Sequence, residues 1–409
     1  MTDKNANKIG YKKTKLGWIP EDWEVVRLKD IVVYSQSGLS RKLSNNDIGL
    51  PVIRSNNIKN NTIDFSEIKY WYRNDPQGAN TQNYVLQNND ILLNFINSLA
   101  QIGKCAIFIN SLNRDTIFTT NIMRLKLNPT KITPYFYILQ TLNERYLYYI
   151  GSIAKPAVNQ ASFTSNDYKM YKISLPPITE QEKIAEVLSC WDEGIEVLEK
   201  LLEKKQLHKK ALMQKLFKEK NSWQLLRFDN IFKEYCKKNC PDERLLSATQ
   251  ENGVIPRDML NGKVMSPEGS LSGYKLIDTG DFVISLRSFQ GGIEYSNYRG
   301  ILSPAYTVLK SIMGINKDFY RYFFKSYRFI EKYLSISVIG IRDGKQISYS
   351  DLSSVKIPYP PIDEQQKIGE ILNNCDEEIK LLDRKLTALK QQKKGLMQKL
   401  LTGEIRVKI

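Results

Sequence analysis

A long segment of this 409-residue chain occurs twice, and no other feature limits its possible folds so strongly. Residues 176–217 align without a gap on residues 360–401, and 21 of the 42 aligned positions are identical. Both copies begin with Pro-Pro-Ile followed by Glu-Gln, and both contain the block LMQKL near their end. A repeat of this length indicates a tandem duplication, so the two halves of the chain should share one structural frame.

The offset between matching segments changes along the chain. "WEVVRLKDI" (23–31) matches "WQLLRFDNI" (223–231) at an offset of 200, whereas the offset from Ile117 onward is 184. The first half therefore has 16 additional residues, the difference between these offsets, all located between Trp23 and Ile117. Length changes confined to part of a shared frame favour divergent loops, as expected for two different recognition surfaces.

Each repeated segment has the pattern of a long coiled-coil helix. No proline occurs from Glu180 to Phe217, and apolar residues recur in alternating steps of four and three, a period of 3.5 residues. One amphipathic helix packed on a globular core is the alternative, but two matching seams in one chain favour pairing with each other. The predicted helix–helix seam comprises Ile184, Leu188, Trp191, Ile195, Leu198 and Leu202 with Ile368, Leu372, Ile379, Leu382, Leu386 and Leu389.

The charge distribution predicts that the two helices are antiparallel. Residues 180–199 contain seven acids and one base, whereas residues 200–217 contain six bases and one acid. The second copy has the same division between residues 363–383 and 384–401. This division also complements each helix dipole, but only antiparallel pairing places every acidic end beside a basic one. Helices of about 39 residues would be roughly 58 Å long.

The sequence therefore predicts an α/β (α+β) protein with two globular domains separated by two long antiparallel coiled-coil helices, arranged as a pseudo-twofold internal repeat. The predicted segments are a first globular domain at 1–175, a central helix at 176–217, a second globular domain at 218–359 and a C-terminal helix at 360–409.

The basic charge of the chain indicates a polyanionic partner. The net charge is +16, and the segments 176–217 and 360–409 contribute only −1 and +2, which leaves +15 for the rest of the chain. Basic globular domains beside a nearly neutral helical pair favour nucleic-acid binding, and a solvated basic surface without function is the alternative. Because no apolar run is long enough to span a membrane and no secretion signal is apparent, we expect a cytoplasmic protein.

Loops rich in amide and basic side chains are candidates for reading DNA bases. Arginine pairs well with guanine, and asparagine or glutamine pairs well with adenine, although the same residue types also form turns. The candidates in the first globular domain are Arg54, Asn56, Asn57, Arg73, Gln77, Lys155, Asn159 and Gln160. Those in the second are Gln250, Arg257, Arg287, Gln290, Arg342, Lys345 and Gln346.

Residue types that support catalysis or metal binding are scarce. The chain has five cysteines but only one histidine. It therefore has few potential ligands for a Cys/His zinc site, and we expect the cysteines to be free thiols. No glycine-rich ATP-binding loop occurs. The two Pro-Pro pairs also lack the neighbouring polar and aromatic residues of an amino-methyltransferase motif. The sequence therefore favours binding without catalysis, with no metal and no cofactor held by this chain.

Several motifs together resemble the specificity subunit of type I restriction-modification systems. They are "LGWIPEDWEVVRLKDI", "PVIRSNNI", "NNDILLNF" and the repeated "PPI-x-EQ-x-KI-x-E-[VI]-L" followed by a heptad helix, and they extend over essentially the whole chain. The resemblance implies two target-recognition domains that each read one half of a bipartite, asymmetric double-stranded DNA site. The helices would set the gap between the half-sites and dock two methyltransferase (modification) subunits.

The resemblance also implies which chemistry belongs to other chains. S-adenosylmethionine, ATP and Mg²⁺ would act on partner subunits, which include restriction/translocase subunits, and the assembly would methylate adenine N6 and cleave DNA in an ATP-dependent reaction. This chain would catalyse nothing. An adaptor that recruits partners through its coiled coil and binds DNA without sequence choice is the other binding function that the residues allow.

Overall fold

The computed structural model describes residues 8–59, 61–260, 271–285, 288–334 and 347–408. It contains two long helices, α4 (Ile178–Leu216) and α9 (Ile362–Leu401). The chain divides into two compact units: unit 1 is Met1–Glu196 with Thr387–Ile409, and unit 2 is Val197–Leu386. Because these limits fall inside both long helices, each unit combines one globular head with part of α4 and part of α9.

The first head, which precedes α4, is a mixed α/β domain. Its strands are β1 (Tyr11–Thr14), β2 (Gly17–Pro20), β3 (Glu24–Arg27), β4 (Val32–Ser37), β5 (Leu50–Ile53), β6 (Ile58–Lys59), β7 (Thr62–Ile63), β8 (Lys69–Trp71), β9 (Ile91–Asn94), β10 (Ile96–Asn97), β11 (Cys105–Ile107), β12 (Ile117–Phe118), β13 (Ile122–Leu127), β14 (Lys155–Ala157), β15 (Gln160–Ser162) and β16 (Lys172–Leu175). Its helices are α1 (Pro134–Thr141), α2 (Glu144–Ile153) and α3 (Ser165–Lys169).

These strands form several small sheets. The largest has the order β11-β9-β13-β4 with antiparallel neighbours, and a second has the order β12-β5-β8. A third sheet has the order β10-β15-β14, and β16 pairs with β3 immediately before α4 begins. The pair β3–β16 therefore connects the start of the head to the residues that lead into the long helix.

The second head lies between α4 and α9. Its strands are β17 (Gln224–Arg227), β18 (Phe232–Tyr235), β19 (Leu246–Thr249), β20 (Gly253–Pro256), β21 (Lys275–Ile277), β22 (Phe282–Ile284), β23 (Glu294–Tyr295), β24 (Gly300–Leu302), β25 (Thr307–Ser311) and β26 (Lys356–Tyr359). Its helices are α5 (Phe228–Ile231), α6 (Ser288–Gly291), α7 (Lys317–Phe323) and α8 (Tyr349–Ser353), and Phe329–Leu334 forms a π-helical segment.

The two heads share one frame, as the internal repeat predicts. The β17–β26 ladder corresponds to β3–β16, and the sheet β18-β25-β22-β23 corresponds to β4-β13-β9-β11. Helices α7 and α8 occupy the positions of α1 and α3 in the repeat. The predicted mixed α/β fold with an internal repeat is therefore confirmed.

Each head shares its hydrophobic core with helical residues of its own unit. In unit 1, Ile184 and Leu188 of α4 and Met397 and Leu400 of α9 belong to one buried cluster with Trp23. In unit 2, Ile368 and Leu372 of α9 belong to the cluster that contains Trp223 and Phe217. Burial of aromatic and aliphatic side chains against the helices attaches each head to its helical segments.

The predicted seam is buried or partly buried at every position, and the helical segments within each unit run antiparallel. In unit 1, Asp192 of α4 forms an ion pair with Lys393 of α9. In unit 2, Lys205 pairs with Glu378 at 2.6 Å, and Lys209 pairs with Asp376. Residue numbers rise on one helix as they fall on the other, which confirms the orientation predicted from charge.

The repeated Glu-Gln pair begins both long helices and explains part of the duplicated motif. In unit 1, Trp23 Nε1 donates to Glu180 Oε2 at 2.9 Å, and Arg406 donates to both carboxylate oxygens at 2.5 and 2.7 Å. In unit 2, Trp223 Nε1 donates to Glu364 Oε2 at 2.8 Å, and Lys220 donates to the same carboxylate. The acid at each helix start therefore binds one indole and one cation.

The following glutamine connects each helix start to a short helix of the head. Gln181 Oε1 accepts from the backbone N–H of Thr133, the N-cap of α1, at 3.0 Å, and its Nε2 donates to Pro176 O at 2.8 Å. Gln365 makes the corresponding bonds with Asn316, the N-cap of α7, at 2.9 Å and with Pro360 O at 2.8 Å. Both amides are buried, so each satisfies backbone groups that the head leaves unpaired.

We expect Glu180→Ala to lower the free energy of unfolding of unit 1 by about 3 kcal/mol, because it leaves a buried indole N–H without its acceptor and removes one of the two carboxylates that bind Arg406. The matched variant Glu364→Ala should cost about half as much, since 23% of the Glu364 side chain is exposed, compared with 0% for Glu180. Urea unfolding of both variants beside the parent chain checks this order. Equal losses at the two positions would contradict it.

Candidate nucleic-acid interface

The loop that contains Arg73 and Gln77 is held by one buried carboxylate, that of Asp75. Asp75 accepts from Arg41 Nη2 at 2.5 Å, from Trp71 Nε1 at 3.2 Å and from the backbone N–H groups of Gln77 and Ala79 at 3.1 Å. The hydrogen-bonded Arg41 guanidinium holds the pKa of Asp75 well below its usual range. The loop is thus fixed by an acceptor within it, while other side chains remain at the surface.

Arg73 and Gln77 are both exposed on this fixed loop. Arg73 Nη1 lies 2.7 Å from Asp115 Oδ2, and both side chains are about half exposed. An exposed ion pair of this kind contributes little to stability and exchanges readily with solvent or phosphate. These two positions remain predicted DNA contacts, and their geometry is compatible with that role.

The loop at residues 54–57 divides into one exposed and two inward-facing positions. Asn56 is exposed, whereas Arg54 is partly buried and donates from Nη2 to Glu67 O at 2.8 Å. Asn57 is only 2% exposed: its Oδ1 accepts from Arg54 N, and its Nδ2 donates to Asp64 O, both at 2.9 Å. Both ends of the Asn57 amide therefore stabilise the loop, whereas Asn56 is the position of this loop that is exposed for a contact with DNA.

Lys155, Asn159 and Gln160 lie together on one β-hairpin, formed by β14 and β15. All three are exposed. The two-residue turn is Val158–Asn159, and Asn159 has a φ of 61°, in the left-handed region that asparagine tolerates better than most residues. These three candidates, which are close in sequence, lie on one exposed hairpin, which we call the finger (residues 155–160).

In the second head, Gln250 and Arg257 flank the β19–β20 hairpin. Gln250 is exposed at the turn, and Arg257 is partly buried with its Nε 3.2 Å from Ser247 Oγ. Lys325 holds this turn, because its Nζ donates to Gln250 O at 3.2 Å and to Gly291 O at 2.9 Å. Sequence reasoning did not identify Lys325, which lies in an aromatic-rich segment 75 residues after the turn.

The third acceptor of Lys325 is Glu294, a buried acid at the start of β23. The Nζ–Oε1 distance is 2.6 Å, and Glu294 Oε2 has no hydrogen-bond partner among the described residues. Burial raises the pKa of Glu294 to about 7, and the nearby Lys325 ammonium only partly opposes this effect. The pair lines a cavity of about 850 Å³, together with Asn252, Tyr295 and Arg321.

The other candidates of the second head give less structural information. Gln290 lies in α6, and Arg287, Arg342, Lys345 and Gln346 lie outside the described residues.

Within the described ranges, no group of three or more histidine, cysteine or acidic side chains has the geometry to hold a metal ion. None of the helices described is long and apolar enough to cross a membrane. The free cysteines are Cys105, Cys190, Cys236, Cys240 and Cys375.

The duplicated frame, the helix pair and the two sets of divergent loops define a two-headed protein with two different loop surfaces. The sequence profile described as "Type I restriction modification DNA specificity domain" matches residues 20–206 and again residues 222–391. The two matches together span most of the chain, one for each repeat. The chain belongs to this family.

Relatives of similar length support the same assignment. The putative type I restriction enzyme MjaX specificity subunit of Methanocaldococcus jannaschii is 32% identical, and the alignment covers 97% of each chain. The type I restriction enzyme MjaVIII specificity subunit of the same organism is 26% identical over 95% of this chain and 94% of that one.

Solved structures share the fold at lower identity. A chain from a structure that addresses complex assembly and conformational transition of the type I R-M system has a TM-score of 0.60 at 15% identity, covering 95% of this chain and 99% of that chain. The S subunit of the type I restriction-modification system from M. genitalium has a TM-score of 0.53 at 17% identity, covering 93% and 96%. At these identities the likeness concerns the fold.

The raised pKa of Glu294 predicts how the stability of unit 2 depends on pH. A carboxyl that titrates near 7 when folded, but near 4.5 when unfolded, binds more protons in the folded state between these values. Unit 2 should therefore lose stability as the pH rises from about 4.5 to 7. The substitution Glu294→Gln should remove the contribution of this carboxyl to the pH dependence of the stability of unit 2. Urea midpoints measured between pH 5 and 7.5 test it, with Glu251→Gln at an exposed position as the control. Parallel pH profiles for the parent and Glu294→Gln would contradict the assignment.

Proposed function

We propose that this chain is the DNA sequence-recognition subunit of a type I restriction-modification complex, in which each head reads one half of a bipartite site. The observation that carries this proposal is the repeat itself. Two heads share one frame and one mode of attachment to the helices, while their loops differ in length and sequence. A constant frame with two different loop sets is suited to recognising two different short sequences.

The long helices would determine the distance between the two half-sites. Helices α4 and α9 each contribute to both units without interruption. Within each unit, ion pairs between the two helices fix their register. A helix is far stiffer than a loop connection of the same length. A fixed number of unread base pairs between the half-sites is the expected consequence.

The helices would also dock two methyltransferase subunits. Several apolar side chains of α4 and α9 in unit 2 face away from the seam and are exposed, including Val197 at 66% and Leu201 one turn later. Exposed apolar residues on a helix support an interaction surface better than scattered polar ones. The internal repeat favours two equivalent docking sites for one kind of partner.

The chain itself is a recognition subunit and not an enzyme, so the reactions of the complex would take place on other chains. S-adenosylmethionine would bind the methyltransferase subunits, and ATP and Mg²⁺ would act on the restriction/translocase subunits. The proposal also implies that the protein works in the cytoplasm, where the host DNA is accessible.

The decisive experiment is a map of methylated bases. The chain would be expressed with the methyltransferase subunit of its own system in a host that lacks DNA methylation, beside a control without this chain, and both genomes would be analysed by single-molecule sequencing. Methylated adenines in a split motif with a constant gap, present only with this chain, are expected. Methylation that does not depend on this chain would favour an adaptor that binds DNA without sequence choice.

A change in helix length should change the gap. Matched insertions of one heptad after Lys200 in α4 and after Arg384 in α9 preserve the seam period and lengthen both helices by about 10 Å, equal to about three base pairs of B-DNA. We expect the same two half-sites with a gap about three base pairs longer. Insertion into α4 alone serves as a control that disrupts the register. An unchanged gap in the double insertion would exclude the helices as the spacer.

Charge on the outer face of α4 should weaken partner docking. We expect Val197→Glu combined with Leu201→Glu to reduce co-purification of the methyltransferase subunit at least tenfold, because two carboxylates would need to be desolvated in an apolar contact. Gln206→Glu, at an exposed polar position of the same helix, is the matched control and should leave co-purification unchanged. Equal recovery of the partner with the double variant would place the docking surface elsewhere.

A further inference from the structure

The finger (residues 155–160) projects from the first head with an apolar residue at its tip. All six residues are exposed, and Val158, the first residue of the turn, is 91% exposed. At this position the valine side chain contributes almost no burial free energy to the stability of the fold, because water surrounds nearly all of it. Its polar neighbours Asn159 and Gln160 are candidates from the sequence, whereas Val158 is not.

The finger is held in place by its sheet. In the β14–β15 ladder, Lys155 lies opposite Ser162 and Ala157 opposite Gln160, and β15 pairs on its other edge with β10. Ala161 is buried at 1% exposure and anchors the hairpin in the core. Pro156 is tolerated because β14 is an edge strand. A tip fixed in this way can be aimed at a partner with little loss of conformational entropy on binding.

A second exposed apolar residue follows the neighbouring strand β10. Leu99, which is 68% exposed, follows β10 by two residues. Because β10 runs antiparallel to β15, the chain after Asn97 leaves the sheet toward the end at which the finger turns. The finger and the segment after β10 therefore extend toward the same end of the sheet.

The finger and the chain segments around it have a basic composition. Residues 91–114 and 145–166 contain no aspartate or glutamate, whereas they include Lys104, Arg114, Arg145 and Lys155. Lys104 and Lys155 are exposed. These two exposed lysines can contact phosphate oxygens.

The side chains of the finger are of types that can read bases in the major groove. A two-stranded β-ribbon can enter this groove, where adenine presents N7 and N6 to an amide side chain and thymine presents its 5-methyl group to an apolar side chain. Asn159 and Gln160 supply amides directly after Val158. One short element thus carries both kinds of group that distinguish an A·T base pair from G·C.

We propose that the finger enters the major groove of the first half-site and reads A·T base pairs there, with Val158 against a thymine 5-methyl group and the amides of Asn159 and Gln160 on adenine. This inference rests on the proposed function, since it assigns one recognition element to one half of the target. It makes Val158 a specificity-determining residue.

The test uses the assembled methyltransferase complex and the split target found by methylation mapping. Each thymine of the first half-site is replaced in turn by deoxyuridine, which removes only the 5-methyl group. For the parent complex, one replacement should weaken binding about fourfold, the effect of exposing one buried methyl-sized group. For Val158→Ser, binding to the thymine duplex should be about fourfold weaker, with no further loss on the deoxyuridine duplex.

Controls separate the finger from the rest of the complex. Val33→Ser, at an exposed position of β4 in the same head, should keep the full deoxyuridine effect. Thymines of the second half-site should respond identically in the parent and in Val158→Ser.

Three results would overturn the inference. They are a first half-site without A·T pairs, no loss on any deoxyuridine duplex, or an unchanged deoxyuridine effect in Val158→Ser. In each case a split target still exists, so the proposed function would stand and the finger alone would be excluded. If no split target depends on this chain, the proposed function fails and the inference fails with it.

Discussion

The acid at the start of each long helix is the contact on which the rest of the structure depends. Glu180 accepts from the indole of Trp23 and from Arg406, so a single buried carboxylate joins the beginning of the chain, the start of α4 and the residues after α9 within unit 1. Glu364 joins Trp223 to the start of α9 in unit 2. Because a buried carboxylate is costly without partners, each head is bound to its helices at one defined position.

The parts of the fold that the sequence predicts are those with a periodic or repeated signal. The seam positions follow from a 3.5-residue period, and all of them are buried or partly buried. The antiparallel orientation follows from a reversed charge distribution and is confirmed by pairs such as Lys205–Glu378. The shared frame of the heads follows from the repeat. These patterns extend over many residues, so one residue that departs from the pattern does not change the predicted structure.

Individual contact residues in the loops could not be predicted in the same way. Asn56 and Asn57 are adjacent and chemically identical, yet one is exposed and the other satisfies two backbone groups. Asp75 and Lys325 fix loops through bonds to backbone atoms, a role that leaves no pattern in a single sequence. Val158 could not be predicted as a contact residue because an apolar residue is expected to be buried, and only the structure shows that it is exposed.

A division of roles between the helices and the loops follows from these contacts. Two residues that are identical in the two repeats, the glutamate at 180 and 364 and the glutamine at 181 and 365, attach the heads to the helices. Residues available for contacting DNA lie on loops that differ between the repeats, so either loop set can change without disturbing an attachment. Because the attachments use backbone carbonyls and buried side chains of the frame, a new recognition loop needs to preserve only its two ends. The same frame can therefore carry two unrelated half-site specificities in one chain.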